Sequence, residues 1–368
     1  MKIGLSAYLL HAGADYRSAG VSTYSYQLLT HLQGAAPDLE FKAFVGSDAP
    51  DIPLPEVRAR VRTDNPALRI LWEQTVLPLQ LARDRVDIVH GTVNVIPWVH
   101  ASRSVVTVHD LAFAVHPDKF RPARRLYLTA AVRISVARAG HIIAVSHHTR
   151  RALEDIWQVP KEKISVVYSG VDERFRPLSR DESNLGVADG RPFILHVGTL
   201  EPRKNIEVLI RAYARIRHTI PHVLVLIGAR GWYYQNIFRL IAELGLQEEV
   251  LAPGYVDPGD LARWYNSADL LVYPSAYEGF GLPVLEAMAC GVPVVISEAE
   301  ALREVAGDAA LSVAAEPDTL GGAIQKVLAD QMLAGRMRVA GLERAGQFTW
   351  DRTARETAAL YRRIADGE

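Results

Sequence analysis

Two adjacent cations, Arg203 and Lys204, stand between a predicted strand and a predicted helix. The strand covers Phe193–Val197 and runs into Gly198, and the helix is predicted to begin near Asn205. Glycine lets the backbone approach a ligand closely, and a helix N-terminus presents unpaired N–H groups to an anion. An exposed Arg-Lys pair would be the simpler interpretation by itself. Because cations there oppose the helix dipole, a bound diphosphate would remove a repulsion, and we predict a diphosphate site.

Two glutamates eight residues apart, Glu278 and Glu286, form a second candidate site. Glu278 lies in a loop after a predicted strand, where Gly279 and Gly281 leave backbone N–H groups accessible. The next helix is predicted to begin at Leu282 or the proline after it, so Glu286 falls about one turn into the helix. A carboxylate accepts hydrogen bonds from two vicinal hydroxyls. A capping carboxylate and a helix-dipole partner are the alternatives, but the loop glycines favour binding of two polyols.

A third predicted strand end carries Tyr255 and Val256. A planar base could rest against this turn and bond to the backbone N–H and C=O groups of either residue. Packing of the Tyr255 ring in the core is an equally good interpretation, because buried tyrosines contribute mainly apolar area.

The first half of the chain supplies Gly20 and His109. Gly20 precedes a predicted helix, so we expect the backbone there to approach a ligand phosphate. His109 ends the predicted strand Val105–His109 and is followed by Asp110. Lone histidines are commonly structural. Ligands of parallel sheets lie beyond the carboxyl ends of the strands, however, and this position favours a functional role for His109.

Short β-branched apolar runs recur along the whole chain between segments of helical periodicity. This pattern is typical of parallel strands buried on both faces, and it predicts two doubly wound α/β sheets. The predicted strands are Ile3–Ser6, Phe41–Val45, Asp87–His90, Val105–His109, Ile142–Ser146, Ile164–Tyr168, Phe193–Val197, Val223–Ile227, Val250–Ala252, Leu270–Tyr273, Val292–Ile296 and Ala310–Val313.

The change of composition along the chain predicts its domains. We expect residues 1–172 to form an N-terminal Rossmann-like domain and residues 192–348 to form a second Rossmann-like domain. Residues 173–191 are polar and rich in Gly, Pro and Asp, which is typical of a linker. Residues 349–368 are predicted to form a capped amphipathic helix that returns to the first domain.

The composition excludes several classes of protein. With 368 residues, 49% apolar side chains, 41 basic and 42 acidic groups, the chain is neither disordered nor charged like a nucleic-acid binder. The single cysteine, Cys290, excludes an internal disulfide framework. No apolar run is long enough to span a membrane, and the first residues read as a strand instead of a signal peptide. We therefore expect a cytoplasmic protein.

Charge is unevenly distributed. Residues 58–138 contain 13 basic and 6 acidic side chains. A solvated arginine-rich face is one interpretation, and a contact surface for anionic lipid at the inner face of the plasma membrane or for a phosphorylated acceptor is the other. The arginines on or beside a predicted helix in this region are Arg121, Arg124, Arg125, Arg133 and Arg138.

The stretches Thr107–Leu111, Val197–Asn205 and Glu278–Glu286 closely resemble the retaining, nucleotide-sugar-dependent glycosyltransferases of family 4. The third stretch is similar to the Glu-x7-Glu signature of that family. Thr349–Trp350 is similar to the family's ending, in which the C-terminal helix crosses back to the N-terminal domain. The resemblance covers nearly the whole chain and implies the GT-B fold, in which two Rossmann-like domains face each other across a cleft. It implies that residues 1–172 are the acceptor-side domain and residues 192–348 the nucleotide-sugar-binding domain.

The resemblance also implies roles for the candidate residues. Arg203 and Lys204 bind the donor diphosphate and stabilise the leaving group. Glu286 holds the ribose hydroxyls, Glu278 holds the transferred sugar, and His109 contacts that sugar. The remaining donor contacts are assigned to Gly20, Gly198, Tyr255, Val256, Gly279, Phe280, Gly281 and Leu282. Two departures from the family pattern are Ser22, where relatives often have a second glycine, and Arg303, where they commonly have proline.

The resemblance implies transfer of a hexosyl group, with retention, from GDP-mannose or a donor of the UDP-glucose type. The acceptor is expected to be a hydroxyl of a glycan or lipid-linked glycan. We expect no cofactor and no metal, because fixed cations can carry the diphosphate charge and no Asp-x-Asp motif occurs. The alternatives are a GT-B phosphorylase or epimerase-like enzyme, and a non-catalytic nucleotide-sugar-binding protein.

Overall fold

The computed structural model describes residues 1–10, 20–61, 63, 65–120, 122–179, 182 and 190–367. The described residues divide into two compact units, the first formed by the chain up to Gly170 together with residues from Thr349 onward, and the second by Val171–Phe348.

The first unit contains a parallel sheet. Within its described residues the sheet has seven strands in the order β3-β2-β1-β4-β5-β6-β7. Each strand is parallel to its neighbours, and β1 pairs with both β2 and β4. The strands are β1 Lys2–Ala7, β2 Glu40–Val45, β3 Glu56–Arg58, β4 Ile88–Gly91, β5 Arg103–Val108, β6 His141–Ala144 and β7 Ile164–Val166.

Helices cover this sheet on both faces because its strands are apolar on both sides. The described helices of the unit are α1 Val21–Ala35, α2 Pro66–Arg83, α3 Ala112–Val115, α4 Pro122–Arg138 and α5 His147–Trp157. Trp72, Leu77 and Leu81 of α2 pack with Tyr8 and Phe44 on one side of the sheet.

The second unit contains a six-stranded parallel sheet among its described residues, in the order β10-β9-β8-β11-β12-β13. Its two faces carry separate apolar clusters, so this sheet too is buried between two layers of helices. The strands are β8 Phe193–Val197, β9 Val223–Ile227, β10 Val250–Gly254, β11 Leu270–Tyr273, β12 Val294–Ser297 and β13 Leu311–Val313. The helices are α6 Ile206–Ile216, α7 Gln235–Glu243, α8 Leu261–Ser267, α9 Leu282–Ala289, α10 Glu300–Ala306, α11 Pro317–Ala329 and α12 Gln331–Ala345.

The last helix, α13 (Trp350–Asp366), packs within the first unit. Thr349 caps it, with its side chain accepting a hydrogen bond from the Arg352 N–H at 3.2 Å. The Trp350 ring meets Tyr24 of α1 at 5.8 Å between centroids. Further along, the Tyr361 hydroxyl lies 2.6 Å from Nδ1 of the fully buried His90. The last helix of the chain thus completes the core of the first unit.

The expectation of two doubly wound parallel sheets is confirmed, with strand ends shifted by one to two residues in several cases. One strand was missed: β3, whose Glu56, Val57 and Arg58 are short and polar and lie at the sheet edge. Such an edge strand lacks the apolar run that reveals a central one.

The expected linker 173–191 lies partly outside the described residues. The described residues at the start of this segment pack against the second unit. Phe175 is buried in that unit's core and meets the Tyr265 ring at 5.7 Å, and the Leu178 N–H donates to Asn266 at 2.8 Å. The polar composition of this segment therefore predicted a linker, although its Phe175 packs in the core of the second unit. Within the described part of the chain, no helix is both long and apolar enough to cross a membrane.

We predict that Tyr361→Phe destabilises the first unit. Burial lowers the pKa of His90 to about 3, so its ring is neutral and depends on Tyr361 and Thr107 as hydrogen-bond partners. Loss of the hydroxyl leaves a buried ring nitrogen unpaired, which should lower the free energy of unfolding by about 1–3 kcal/mol. Urea unfolding measures the change.

Arg362→Ala is the control on the same helix. It removes the exposed ion pair between Arg362 and Asp38 and should leave the unfolding transition nearly unchanged. Equal transitions for wild type and Tyr361→Phe would contradict the prediction.

Candidate active site

The Arg203–Lys204 turn and the Glu278 loop meet at the carboxyl ends of two adjacent strands. The chain leaves β8 into a 3-10 turn, Pro202–Lys204, and leaves the neighbouring β11 into the loop that carries Glu278. Backbone bonds tie the two segments: the Ala276 N–H donates to the Arg203 carbonyl at 2.9 Å, and the Asn205 side chain donates to the Pro274 carbonyl at 3.1 Å. Because the strand order reverses direction at β8 and β11, this edge is where an open α/β sheet forms its crevice.

Glu278 is the centre of a buried polar cluster. One carboxylate oxygen accepts from Lys204 Nζ at 2.6 Å, and the other accepts from Arg203 Nη1 at 3.0 Å. The hydroxyls of Tyr273 and Ser275 also donate to Glu278. Lys204 Nζ in turn donates to the Tyr273 hydroxyl at 2.7 Å. One carboxylate thus holds both cations that the sequence singled out.

Burial by itself would raise the pKa of Glu278, but the charges of Arg203 and Lys204 outweigh it and lower the pKa to about 2. The carboxylate is therefore ionised at neutral pH. This arrangement differs from the sequence expectation, in which the two cations faced a ligand and Glu278 faced a polyol. The structure shows the three charges satisfying one another, so an anion that binds there competes with Glu278 for Lys204 and Arg203.

Glu201 was missed by the sequence analysis. Nε and Nη2 of Arg203 both donate to Glu201 Oε1, at 3.1 and 2.8 Å, and Arg203 Nη1 also donates to the Tyr277 carbonyl at 2.8 Å. Glu201 is buried, so this pairing fixes the plane of the guanidinium. An acidic residue two positions before an arginine was the available signal, but only the turn brings the two side chains together.

A second missed residue is His196, which is fully buried near the end of β8. Its Nδ1 donates to the Val272 carbonyl at 3.0 Å, and its ring stacks on Tyr273 at 5.5 Å between centroids. Burial lowers the pKa of His196 to about 4, so the ring is neutral and Nε2 carries a lone pair. Among the described residues Nε2 has no hydrogen-bond partner. A β-carbon placed on Gly198 would lie 3.7 Å from both Nε2 and Lys204 Cε, so these groups border the same space.

The loop after Glu278 contains a backbone conformation that favours glycine. Helix α9 begins at Leu282, and Gly281 before it has φ 123°, a conformation that side-chain-bearing residues rarely adopt. The Phe280 side chain is buried against Phe348, with 6.0 Å between ring centroids. The Phe280 side chain is therefore part of the core packing of this unit, and Gly279 precedes it in the loop.

Glu286 lies one turn into α9, as predicted. The Tyr265 hydroxyl donates to Glu286 Oε2 at 2.7 Å. Burial raises the pKa of Glu286 to about 7, against the lowering effects of Tyr265 and of Arg174. Glu286 is thus a half-buried carboxylate with one oxygen bound to a tyrosine, and it gains most from ligands that donate hydrogen bonds.

The other predicted residues occupy positions of different kinds. Tyr255 and Val256 directly follow β10 and are half-buried, with Val256 packed on the core. Gly20 is the N-cap of α1 and is exposed, and among the described residues no heavy atom lies within 4 Å of the position a β-carbon would take.

His109 follows β5 in the first unit and is held in a defined orientation. Nε2 donates to the Thr92 carbonyl at 2.8 Å, and the backbone N–H donates to the Asn94 side chain at 2.8 Å. The Tyr24 ring meets the imidazole edge-on at 4.7 Å. Burial lowers the pKa of His109, so the ring is neutral with a lone pair on Nδ1. Among the described residues, no group of three or more His, Cys, Asp or Glu side chains could hold a metal ion.

The sequence matches two family models. Residues 18–175 match Glycosyltransferase Family 4, and residues 179–344 match Glycosyl transferases group 1. The chain is 33% identical over 373 residues to the O-antigen chain mannosyltransferase B of Escherichia coli, covering 94% of this chain and 97% of that protein. The chain therefore belongs to the family 4 glycosyltransferases, also described as group 1.

Solved structures share the fold. Sucrose-phosphate synthase from Thermosynechococcus elongatus matches with a TM-score of 0.83 at 24% identity, over 100% of both chains. Anabaena HepE in complex with UDP and glucose matches with a TM-score of 0.76 at 19% identity, over 98% of this chain and 99% of that one. The two parallel-sheet Rossmann-like units are those of the GT-B glycosyltransferases, and the resemblance seen in the sequence is confirmed.

We predict that Glu286 makes the folded state less stable as pH rises from about 4.5 to about 7. In that range the folded carboxyl keeps a proton that the unfolded one has lost, because its folded pKa is raised to about 7. The melting temperature of Glu286→Gln should therefore fall less over this range than that of wild type. Thermal unfolding at a series of pH values measures both curves. Parallel curves would show that Glu286 is not the group responsible.

Proposed function

We propose that this glycosyltransferase transfers a hexosyl group, with retention of anomeric configuration, from a nucleotide-diphosphate sugar to a glycan hydroxyl. The observation that carries the proposal is that Arg203, Lys204 and Glu278 meet at the carboxyl ends of β8 and β11, where the strand order of the second sheet reverses. Two cations suit a leaving diphosphate, and a carboxylate beside them suits the hydroxyls of the transferred sugar. Glu286 then accepts from the ribose hydroxyls.

The donor exchanges partners within this cluster. The diphosphate oxygens take N–H groups that Lys204 and Arg203 give to Glu278 in the structure, and the freed Glu278 oxygens accept from sugar hydroxyls. Glu201 keeps its two bonds to Arg203 during the exchange and so holds the guanidinium in place. The backbones of Gly198 and of residues 279–282 line the same crevice, Tyr255 and Val256 lie against the base, and Gly20 approaches the diphosphate. His109 contacts the transferred sugar, with its Nδ1 lone pair as the acceptor.

Transfer then proceeds on the face of the sugar from which the diphosphate leaves. The bond between the anomeric carbon and the phosphate oxygen breaks, the acceptor oxygen bonds to the same carbon, and the acceptor proton passes to the leaving phosphate oxygen. Arg203 and Lys204 hold the charge that develops on the diphosphate, so the step needs no metal. We assign Glu278 no nucleophilic role, because in the bound donor its oxygens accept hydrogen bonds from the sugar hydroxyls.

We favour GDP-mannose as the donor and a surface polysaccharide or its lipid-linked precursor as the acceptor. The support is the 33% identity to an O-antigen chain mannosyltransferase, which extends over nearly the full length of both proteins. UDP-glucose is the second donor to test, since HepE, which shares the fold, was crystallised with UDP and glucose.

We predict that Lys204→Ala lowers the rate of mannosyl transfer about 10²–10³-fold, because one fixed charge on the leaving diphosphate is lost. The assay follows transfer from GDP-mannose to octyl α-mannoside, and proton NMR of the product reports whether the new linkage is α, as retention requires.

Lys326→Ala removes an exposed lysine from α11 of the same unit and should transfer at the wild-type rate. GDP-mannose should raise the melting temperature of wild type and of Lys326→Ala. A normal rate for Lys204→Ala would remove this lysine from the mechanism. The proposed transfer itself fails if neither GDP-mannose nor UDP-glucose raises the melting temperature.

We also propose that the first unit contacts an anionic membrane surface through α2 and α4. Beside its core-facing side, α2 exposes an apolar stripe, with Leu71 60% and Leu79 72% exposed. On α4, Leu126 is exposed next to Arg124 and Arg125. Apolar side chains with neighbouring arginines are the composition of helices that lie on anionic bilayers. Such contact would bring the enzyme to a lipid-linked acceptor.

We predict that the protein floats with phosphatidylglycerol vesicles and not with phosphatidylcholine vesicles. Leu71→Gln/Leu79→Gln should abolish flotation, because the stripe no longer inserts. Met332→Gln/Val339→Gln, a matched pair of exposed apolar residues on α12, should float like wild type. Equal flotation of both double variants would exclude the α2 stripe.

A further inference from the structure

Tyr265 and Glu286 form a hydrogen-bonded pair between two helices of the second unit. Tyr265 lies on α8, and its hydroxyl donates to Oε2 of Glu286 on α9 at 2.7 Å. Among the residues that the structure describes, no other group donates a hydrogen bond to this carboxylate. The Tyr265 side chain is fully buried, whereas Glu286 is half-buried. Glu286 is therefore held from the protein interior while part of its carboxylate stays accessible.

Packing fixes the position of the Tyr265 hydroxyl. The Tyr265 ring belongs to an apolar cluster that also contains Ala287 of α9 and Cys290 at the end of that helix. The buried Phe175 ring meets it edge-on, with 5.7 Å between centroids and 80° between the ring planes. Because a close-packed ring cannot change rotamer without displacing such neighbours, the hydroxyl is a donor with a defined place.

The residue after Tyr265 keeps Phe175 in contact with the ring. The Asn266 side chain donates to the Arg176 carbonyl at 3.0 Å and accepts from the Leu178 N–H at 2.8 Å. These two bonds tie the chain directly after Phe175 to α8. The start of the second unit, which reads as a linker in the sequence, is thus part of the packing that positions Tyr265.

The charged groups near Glu286 act in opposite directions. Arg174 lowers the pKa of Glu286 and Asp172 raises it, and these two side chains pair with each other at 2.7 Å. The Cys290 thiol, with its pKa raised by burial to about 12, carries no charge at neutral pH. Burial raises the pKa of Glu286 to about 7, and the hydrogen bond from Tyr265 is the largest effect that opposes this rise. Without that bond, the carboxyl would keep its proton to a higher pH.

A pair of vicinal hydroxyls binds best to a carboxylate that is ionised and correctly turned. An ionised carboxylate only accepts hydrogen bonds, through about four lone-pair positions, whereas a protonated one carries a donor of its own. The Tyr265 hydroxyl takes one position on Oε2 and favours the ionised form. It also fixes the rotation of the carboxylate group. Both effects increase the affinity of Glu286 for a ligand that donates two hydrogen bonds.

We propose that Tyr265 is a positioning residue of the donor site, which orients Glu286 and keeps it ionised so that it accepts from both ribose hydroxyls. This inference rests on the proposed function, in which Glu286 holds the ribose. Tyr265 is fully buried, so it acts on the donor through Glu286 and not by contact.

The test compares GDP with 2′,3′-dideoxy-GDP, which keeps the base and the diphosphate but lacks both ribose hydroxyls. Tyr265→Phe keeps the ring and removes only the hydroxyl. We expect its Kd for GDP to rise about tenfold, as for loss of a hydrogen bond to a charged group, with the Kd for 2′,3′-dideoxy-GDP unchanged. Titration calorimetry measures both values. Its stoichiometry also reports the folded fraction, so partial unfolding of the variant does not disturb the comparison.

The pH dependence gives a second readout that a merely structural tyrosine would not move. In wild type, the preference for GDP over 2′,3′-dideoxy-GDP should weaken as the pH falls through about 7, because Glu286 becomes protonated. In Tyr265→Phe the same weakening should occur at a higher pH, since the bond that lowers the pKa of Glu286 is lost. The phosphates titrate alike in the two ligands and cancel in the comparison.

Tyr213→Phe is the matched control. Tyr213 is a buried tyrosine on α6 of the same unit, and its hydroxyl donates to the His222 carbonyl at 2.9 Å. Its replacement should leave both Kd values unchanged, even where it lowers the melting temperature.

The outcomes separate this inference from the proposed function. If wild type prefers GDP and Tyr265→Phe keeps the same preference, Tyr265 is structural and the inference is wrong, while the proposed function stands. If wild type binds GDP and 2′,3′-dideoxy-GDP equally well, the ribose assignment of Glu286 fails, and the inference fails with it. Should neither GDP nor UDP bind wild type, the proposed function itself is wrong. A wild type that binds UDP instead of GDP is tested with UDP and 2′,3′-dideoxy-UDP, and the same results decide.

Discussion

The second unit is organised around a charge cluster in which Glu278 holds Lys204 and Arg203 at 2.6 and 3.0 Å. Two cations that close together repel each other, and burying them is costly unless carboxylates balance the charge. Glu278 and Glu201 supply that balance, and the Tyr273 and Ser275 hydroxyls complete the hydrogen bonds. The cluster can therefore exist in a folded protein before any ligand arrives, with its geometry already set.

This cluster depends in turn on the order of the strands. Because β8 and β11 are neighbours while the chain between them builds β9 and β10 on the other side, two segments some seventy residues apart end at the same edge. Backbone bonds between Arg203 and Ala276 then fix the distance between the cations and the carboxylate. In the first unit, the same rule brings Tyr8 and His109 to the carboxyl ends of their strands, and α13 closes the core through Tyr361.

The parallel sheets could be predicted because their central strands are continuous apolar runs, and the helix start at Leu282 could be predicted because glycine and proline fix it locally. The edge strand Glu56–Arg58 could not, since it is short and polar, and the packing of Phe175 could not, since its neighbours read as a linker. The individual cations and glutamates could be picked out by residue type and spacing. His196 and Glu201 could not, because what distinguishes each of them is a contact or a missing contact in the folded chain.

The amino-acid sequence alone therefore determined the two-sheet architecture and the capped last helix, and it selected Arg203, Lys204, Glu278 and Glu286 as candidate site residues. These follow from periodicity, local backbone preferences and motif spacing, which are all short-range properties. The tertiary structure decided which charges pair, which histidine nitrogens stay unbonded and which carboxylates bear raised or lowered pKa values. Those properties depend on burial and on partners from distant strands, because electrostatic energies inside a protein are set by three-dimensional surroundings and not by neighbours along the chain.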